Sequence, residues 1–113
     1  MGYVDAFRAV ESTYTEAIVL AHGKDINQSG VYLFFEGSVA NNAVQDTLSF
    51  TVVVAANSYI GENGAMAKVD EIRLTALNCP FDIEFKRCRG VNFENSSLYL
   101  VACELTIQIN IKD

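Results

Sequence analysis

Few side chains in this chain have types and spacings that could do chemistry. The single histidine, His22, stands beside Gly23 at the expected end of the first helical segment. One histidine cannot complete a two-histidine metal site, and no cysteine lies at ligand spacing from it. It is expected at the surface, where a cation suits a helix C-terminus. Asp70 and Glu71 are adjacent, so on a helix they point about 100° apart, which is poor geometry for a shared carboxylate pair. Gly61-Glu-Asn-Gly64 precedes a helical pattern and could cradle an anion. Without Lys and Ser/Thr at P-loop spacing it reads as a turn with a cap. There is no nucleophile elbow and no dinucleotide fingerprint. The expected activity is therefore none: no catalytic residue, cofactor or metal ligand is assigned.

The cysteines Cys79, Cys88 and Cys103 make an odd set without CxxC spacing, which argues against a secreted disulfide framework. They are expected as free thiols, mostly buried. Fourteen acidic residues against eight basic ones give a net charge of −6. The longest basic cluster is Lys86-Arg87-Cys88-Arg89, too short to hold a phosphate backbone. No basic stretch followed by a long apolar run opens the chain. No apolar run approaches the ~18 residues of a membrane span, so the expected compartment is the cytosol.

The elements that must position these groups follow from periodicity. With 113 residues, half of them apolar and 19% charged, the chain suits one domain with one core over residues 1–113. Val4, Phe7, Val10, Tyr14, Ala17, Ile18 and Ala21 recur at helical spacing, with Gly23 as a stop. Lys24 to Gly30 then reads as a polar loop. Val31 to Glu36 is apolar on both faces, and Thr47 to Ala56 alternates, with Leu48, Phe50, Val52, Val54 and Ala56 on one side. These two runs are expected to form an antiparallel hairpin. Its connection, Gly37 to Asp46, is expected to be long and mobile, with Asn41 and Asn42 at its centre and a role in assembly.

A second helix has Ala65, Val69, Ile72 and Ala76 on its buried arc, Asn63 as N-cap and Pro80 as the stop. Arg73 falls inside the apolar sector, where it either snorkels or marks an interface. Phe81, Ile83 and Phe85 alternate with charged residues, and a turn is expected within Arg89 to Ser97, where Gly90, Asn92, Asn95 and Ser96 gather. The last strand places Tyr99, Val101, Cys103, Leu105, Ile107, Ile109 and Ile111 on one face over roughly 43 Å, about twice a typical strand. Ile107, Ile109 and Ile111 are expected to extend past what two helices can cover, leaving an apolar end for another subunit. The fold expected is α+β: a mostly antiparallel sheet with two helices packed on one face, in the order α-β-β-α-β-β.

The segments Val52-Val53-Val54-Ala55-Ala56-Asn57, Gly90-Val-Asn-Phe-Glu-Asn-Ser-Ser-Leu-Tyr-Leu100 and Tyr99-Leu-Val-Ala-Cys-Glu104, in this helix–strand–helix–strand order, resemble the small tail-completion proteins of Mu-like phages and prophages, the tail terminator family. The resemblance covers nearly the whole chain through apolar patterns and turns. It implies a structural protein forming a ring, expected to be a hexamer, that caps the tail tube and meets the head. It implies self-association, tail-tube and head-completion proteins as partners, and a place in the virion tail after assembly in the host cytoplasm. The acidic balance suits a ring through which DNA passes without specific binding. The interface residues expected are Arg73, Ile107, Ile109, Ile111, Asn41 and Asn42. A reading from another class is a small α+β domain of a cytosolic bacterial protein that holds a ligand between sheet and helices. A third is an enzyme subunit whose catalytic groups lie in a partner.

Overall fold

A computed structural model describes residues 1–92 and 97–112. The elements are α1 (Tyr3–Thr13), β1 (Ile18–Val19), a single 3-10 turn at Gly23–Asp25, β2 (Gly30–Ala40), β3 (Gln45–Ala56), α2 (Ala65–Asn78), β4 (Ile83–Val91) and β5 (Tyr99–Asn110). Five strands form one sheet in the order β1-β2-β3-β5-β4, antiparallel except for the β1·β2 pair. This is the α+β class that the alternation of periods implies.

The main core lies between the sheet and both helices. Leu48, Phe50, Val52, Val54 and Ala56 from β3 meet Val101, Cys103, Leu105, Ile107 and Ile109 from β5. Ala6, Ala9 and Val10 of α1 and Ala65, Val69, Ile72 and Ala76 of α2 close over them. The buried arc of α2 is the one its 3.6-residue period indicates. The opposite face of the sheet carries a smaller cluster of Tyr32, Phe34, Val53, Ala55, Leu100 and Ala102. Among the described residues no helix covers it; Ile26, with Leu20 packed alongside, comes from the loop before β2. The Tyr32 hydroxyl holds that loop by donating to the Gln28 carbonyl at 2.7 Å.

Four expectations about the elements are corrected. The first helix does not reach Ala21; it ends at Thr13, and Ile18–Val19 instead pairs in parallel with Tyr32 and Leu33. The apolar period continues through Ala17 and Ile18, but β-branched residues crowd that stretch and lose χ1 freedom in a helix. The Ser12 and Thr13 hydroxyls also donate back to the Ala9 carbonyl, at 3.0 and 2.7 Å, competing with continued helix. His22 is consequently not at the end of this helix but precedes the 3-10 turn, exposed.

The connection between β2 and β3 is shorter than the expected Gly37 to Asp46. β2 continues to Ala40 and β3 begins at Gln45, leaving residues 41–44. Gly37, with φ of 137°, follows a bulge at Glu36 rather than opening a loop. The Asn42 side-chain oxygen accepts from the Val44 and Gln45 amides at 3.0 and 2.9 Å, and Asn41 Nδ2 donates to Thr47 Oγ1 at 2.7 Å. Asn42→Ala should lower stability by about 1 kcal/mol through the loss of these two acceptor contacts, read as an earlier urea midpoint with an unchanged slope.

The N-cap of α2 is Gly64, not Asn63, and no side chain caps it. Its first amides are satisfied by loop carbonyls, Ala65 N by Ser58 and Met66 N by Tyr59, at 2.9 and 3.0 Å. The loop approaches so closely that a Cβ at Gly64 would sit 2.7 Å from the Tyr59 carbonyl oxygen, which is why glycine stands there. β4 runs on to Val91, so Arg89 and Gly90 are strand rather than turn. Asn95 and Ser96 lie outside the described residues.

Candidate functional site

The informative surfaces are the two sides of the sheet. On one side, β1 covers only Tyr32 and Leu33 of β2. Among the described residues, no strand pairs with the outer edge from Phe34 to Ala40. Above this edge the outer flank of α1 presents Tyr3, Val4 and Phe7. The rings of Phe7, Phe35 and Phe50 contact one another with centroids 5.3 to 6.4 Å apart. Tyr3, Val4, Phe7, Phe35 and Leu48, with Arg8 and Glu11, line a cavity of about 330 Å³. Glu36 is exposed at the bulge.

The other side is formed by β4 and the outer flank of α2. The outer edge of β4 also lacks a neighbouring strand among the described residues. Lys86, Arg87 and Arg89 stand on it. Arg87 pairs with Glu104 at 2.6 Å, Arg89 reaches the same carboxylate at 3.5 Å, and Lys86 lies 3.3 Å from Glu84. The flank of α2 presents Met66, Arg73 and Leu77, all exposed, with Leu77 64% so. The Arg73 guanidinium lies 5.2 Å from the centroid of the Phe85 ring. Arg73 thus stands at the surface, as an interface residue must, and it stacks on an aromatic face.

The other expected interface residues do not converge on Arg73. Ile107 and Ile109 are 2% and 3% exposed and belong to the main core, so they are not available to another subunit. The expectation that the strand outruns its cover fails because α1 begins at that end of the sheet. The Met1 amine donates to the Asn110 carbonyl at 3.1 Å, and the Tyr3 hydroxyl bonds to Asp46. Only Ile111, 47% exposed, remains outside; its amide donates to the Val44 carbonyl at 2.7 Å. Ile111, Asn41 and Asn42 therefore gather at the hairpin end, away from Arg73 on the α2 flank.

A second, more polar cavity of about 410 Å³ opens where β2 and β3 meet α2, lined among others by Glu16, Glu62, Glu71, Lys68 and Asn57. Lys68 bridges Glu71 at 2.7 Å and Glu16 at 3.2 Å, and its hydrogen bond to Glu71, more than any other contact, raises its pKa. Among the described residues, no group of three or more His, Cys, Asp and Glu is placed to hold a metal ion. No helix among them is long and apolar enough to cross a membrane.

The cysteines differ in access. Cys103 is buried and Cys79 half-buried, but Cys88 is exposed, against the expectation that most would be covered. Cys88 is the register partner of Cys103 on the helix-bearing face, yet it stands on the edge strand and stays exposed. Burial first, and the neighbouring Cys88 second, push the Cys103 thiol up to about 12. A thiol reagent should therefore label Cys88 rapidly at pH 8 and reach Cys103 only on unfolding. The same displacement sets a pH dependence. From about pH 9, the ordinary value, to about 12, unfolded Cys103 has lost its proton while the folded form keeps it. Stability should fall as pH rises through that window, and less so in Cys103→Ala. Tyr14 acts in the same direction: burial, the largest cause, raises its pKa, and its hydroxyl donates to the Ile72 carbonyl at 2.9 Å.

Compared with known proteins, the chain matches no family model and no curated protein.

Proposed function

We propose that the chain is a structural assembly subunit, a tail-terminator-like protein that repeats head to tail into a closed ring, caps a phage or prophage tail tube and joins it to the head. The observation that carries this reading is the pair of open sheet edges on opposite sides of the molecule, each flanked by exposed apolar residues of a helix. The two sides differ in chemistry: an apolar groove with Glu11 and Glu36 on one, and the Lys86, Arg87 and Arg89 strand with Arg73 on the other. Unlike patches favour a heterologous contact, which gives a ring when the rotation closes. Six subunits follow from the resemblance to tail terminators, as do the tail-tube and head-completion partners and the place in the virion tail. The net charge of −6 suits a ring that lets DNA pass without holding it.

Native mass measurement over a range of concentrations tests the reading. A discrete closed oligomer, and its attachment to isolated tail tubes, is expected. A chain that stays monomeric at every concentration and leaves tail tubes untouched overturns it. The reading as a ligand-binding domain has one observation in its favour, the polar cavity around Lys68. It predicts that small anionic or cationic metabolites raise the melting temperature.

A further inference from the structure

Two of the three cysteines stand directly opposite each other on neighbouring strands. Cys88 of β4 is the register partner of Cys103 of β5, so their side chains share one face of the sheet. The kind of pair they form follows from the backbone hydrogen bonds. Antiparallel pairs alternate between those that exchange N–H···O bonds and those whose amides and carbonyls point away from each other. The Ile111 amide donates to the Val44 carbonyl, toward β3. β5 runs against β3 without a register shift, so every second residue back along it, as far as Cys103, also turns its amide and carbonyl to β3. The other edge of the sheet gives the same parity. Leu33 offers its carbonyl outward to the Leu20 amide, which leaves its partner Val52 turned toward Cys103. The backbone of Cys103 therefore bonds to Val52 and not to Cys88.

Cys88 and Cys103 are thus a non-hydrogen-bonded pair, the closer of the two kinds, with Cα atoms about 4.5 Å apart. A disulfide needs Cα atoms roughly 4.4–6.8 Å apart, so this pair can close without moving a strand. It sits at the short end of that range, where the bond is strained and readily reduced. The two thiols differ in access: Cys88 is exposed on the edge strand and Cys103 is buried. Arg87 and Arg89, the chain neighbours of Cys88, share the single carboxylate of Glu104 and leave a positive surplus that favours an anionic reagent. The third cysteine is placed otherwise. Cys79 follows α2, and its thiol donates to the Ala76 and Phe81 carbonyls at 3.5 and 3.4 Å.

We propose that Cys88 and Cys103 form a thiol–disulfide exchange site, with a small anionic disulfide as its oxidant and Cys88 as the entry thiol. The Cys88 thiol loses its proton to solvent, and the thiolate attacks one sulfur of the small disulfide. That S–S bond breaks, one small thiolate leaves, and Cys88 carries the other half as a mixed disulfide. Cys103 then loses its proton and attacks Cys88 Sγ, forming the cross-strand bond as the second small thiolate leaves. Two electrons pass from the two protein thiols to the small disulfide, which takes up the two protons and ends as two thiols. The second step is the slow one near neutral pH, because burial holds the Cys103 thiol protonated. The product fastens the edge strand β4 covalently to β5. Both thiols belong to one copy of the chain, so the site does not rest on the ring reading.

Treating the full folded chain with oxidised glutathione at pH 8, and reading intact mass and non-reducing peptide maps, tests this. The expected product is a single chain lighter by two hydrogens, with Cys88 linked to Cys103 and Cys79 still free. The same treatment of the chain unfolded in urea should mix all the pairings that three cysteines allow. Cys103→Ala should stop at one glutathione on Cys88, and Cys79→Ser should close as the unsubstituted chain does. Closure of the preformed mixed disulfide should quicken about tenfold from pH 7 to pH 8, following the Cys103 thiolate. Dithiothreitol should reopen the bond without unfolding the chain. A folded chain in which Cys88 takes up no glutathione, stays as the mixed disulfide through pH 9, or links to Cys79 overturns the proposal. The unsubstituted chain alone decides this, whether or not the buried-site variant Cys103→Ala folds.

Discussion

Ile109→Asp is expected to unfold the chain, whereas Ile111→Asp, two residues further along the same strand direction, should change stability by no more than about 0.5 kcal/mol. Ile109 is 3% exposed within the main core, and Ile111 is 47% exposed beyond the end of β5. A carboxylate at 109 would be removed from water with no hydrogen-bond donor prepared for it. The expected cost is above about 4 kcal/mol, at the extreme of single substitutions, against a total of roughly 5–15 kcal/mol for a domain. Near-ultraviolet circular dichroism and a urea titration separate the two variants. An Ile109→Asp protein with native spectra and an unchanged midpoint would mean that the end of β5 is not packed under α1.

Phe50→Ala should cost about 3–5 kcal/mol, the usual range for removing a buried phenylalanine. Phe50 is almost wholly buried at the centre of β3, its ring 5.3 Å from Phe7 and 5.4 Å from Phe35. Its loss leaves a cavity under α1 and strips both neighbours of an edge-to-face partner. A fall in melting temperature of more than about 10 °C is expected. Phe35→Ala, at the half-open rim of the same cluster, should cost markedly less. Equal losses at the two positions would place the packed centre elsewhere.

The two long strands and the second helix were legible because one period dominates each. In β3 the alternation of Leu48, Phe50, Val52 and Val54 names the core face, and Ala65, Val69, Ile72 and Ala76 name the face of α2. Phe81 and Phe85, which share an alternation with Ile83, pack against the core only partly buried. Where two signals competed, the wrong one was easier to see. Ala17, Ile18 and Ala21 keep a helical period, but Ile18 and Val19 gain a strand partner in Leu33 and Tyr32 that no local pattern shows. Gly37 and Ser38 look like loop residues; in the fold one follows a bulge and the other bonds with Tyr3 at 2.9 Å.

The places of the expected interface residues were less legible than the fold. Arg73 could be singled out as a charge within an apolar sector, and it does reach the surface beside Phe85. For Ile107 and Ile109, strand length set against helix number says nothing about where a helix begins, and α1 begins at their end of the sheet. The irregularities at Glu36 and Lys86 are not legible locally, because a bulge is set by the register of the neighbouring strand. Each is a charge directly after an aromatic residue.

The order of the sheet also shapes how the chain reaches it. β2 and β3 are joined by residues 41–44, and β4 with β5 forms the second antiparallel pair, so each ribbon draws on nearby sequence. The centre of the sheet is different: β3 meets β5 through partners as distant along the chain as Asp46 and Ile109. Closing that span has a higher entropic cost than closing either ribbon, and non-local pairing is what slows small domains. Docking of two preformed ribbons, with α2 carried between them, is thus the expected slow step. Asn42, which organises the first ribbon, should then act early, so that its loss slows refolding more than it hastens unfolding. Until the ribbons dock, the inner edges of β3 and β5 stand open together with the outer ones, and a chain caught at that stage is the species most exposed to aggregation.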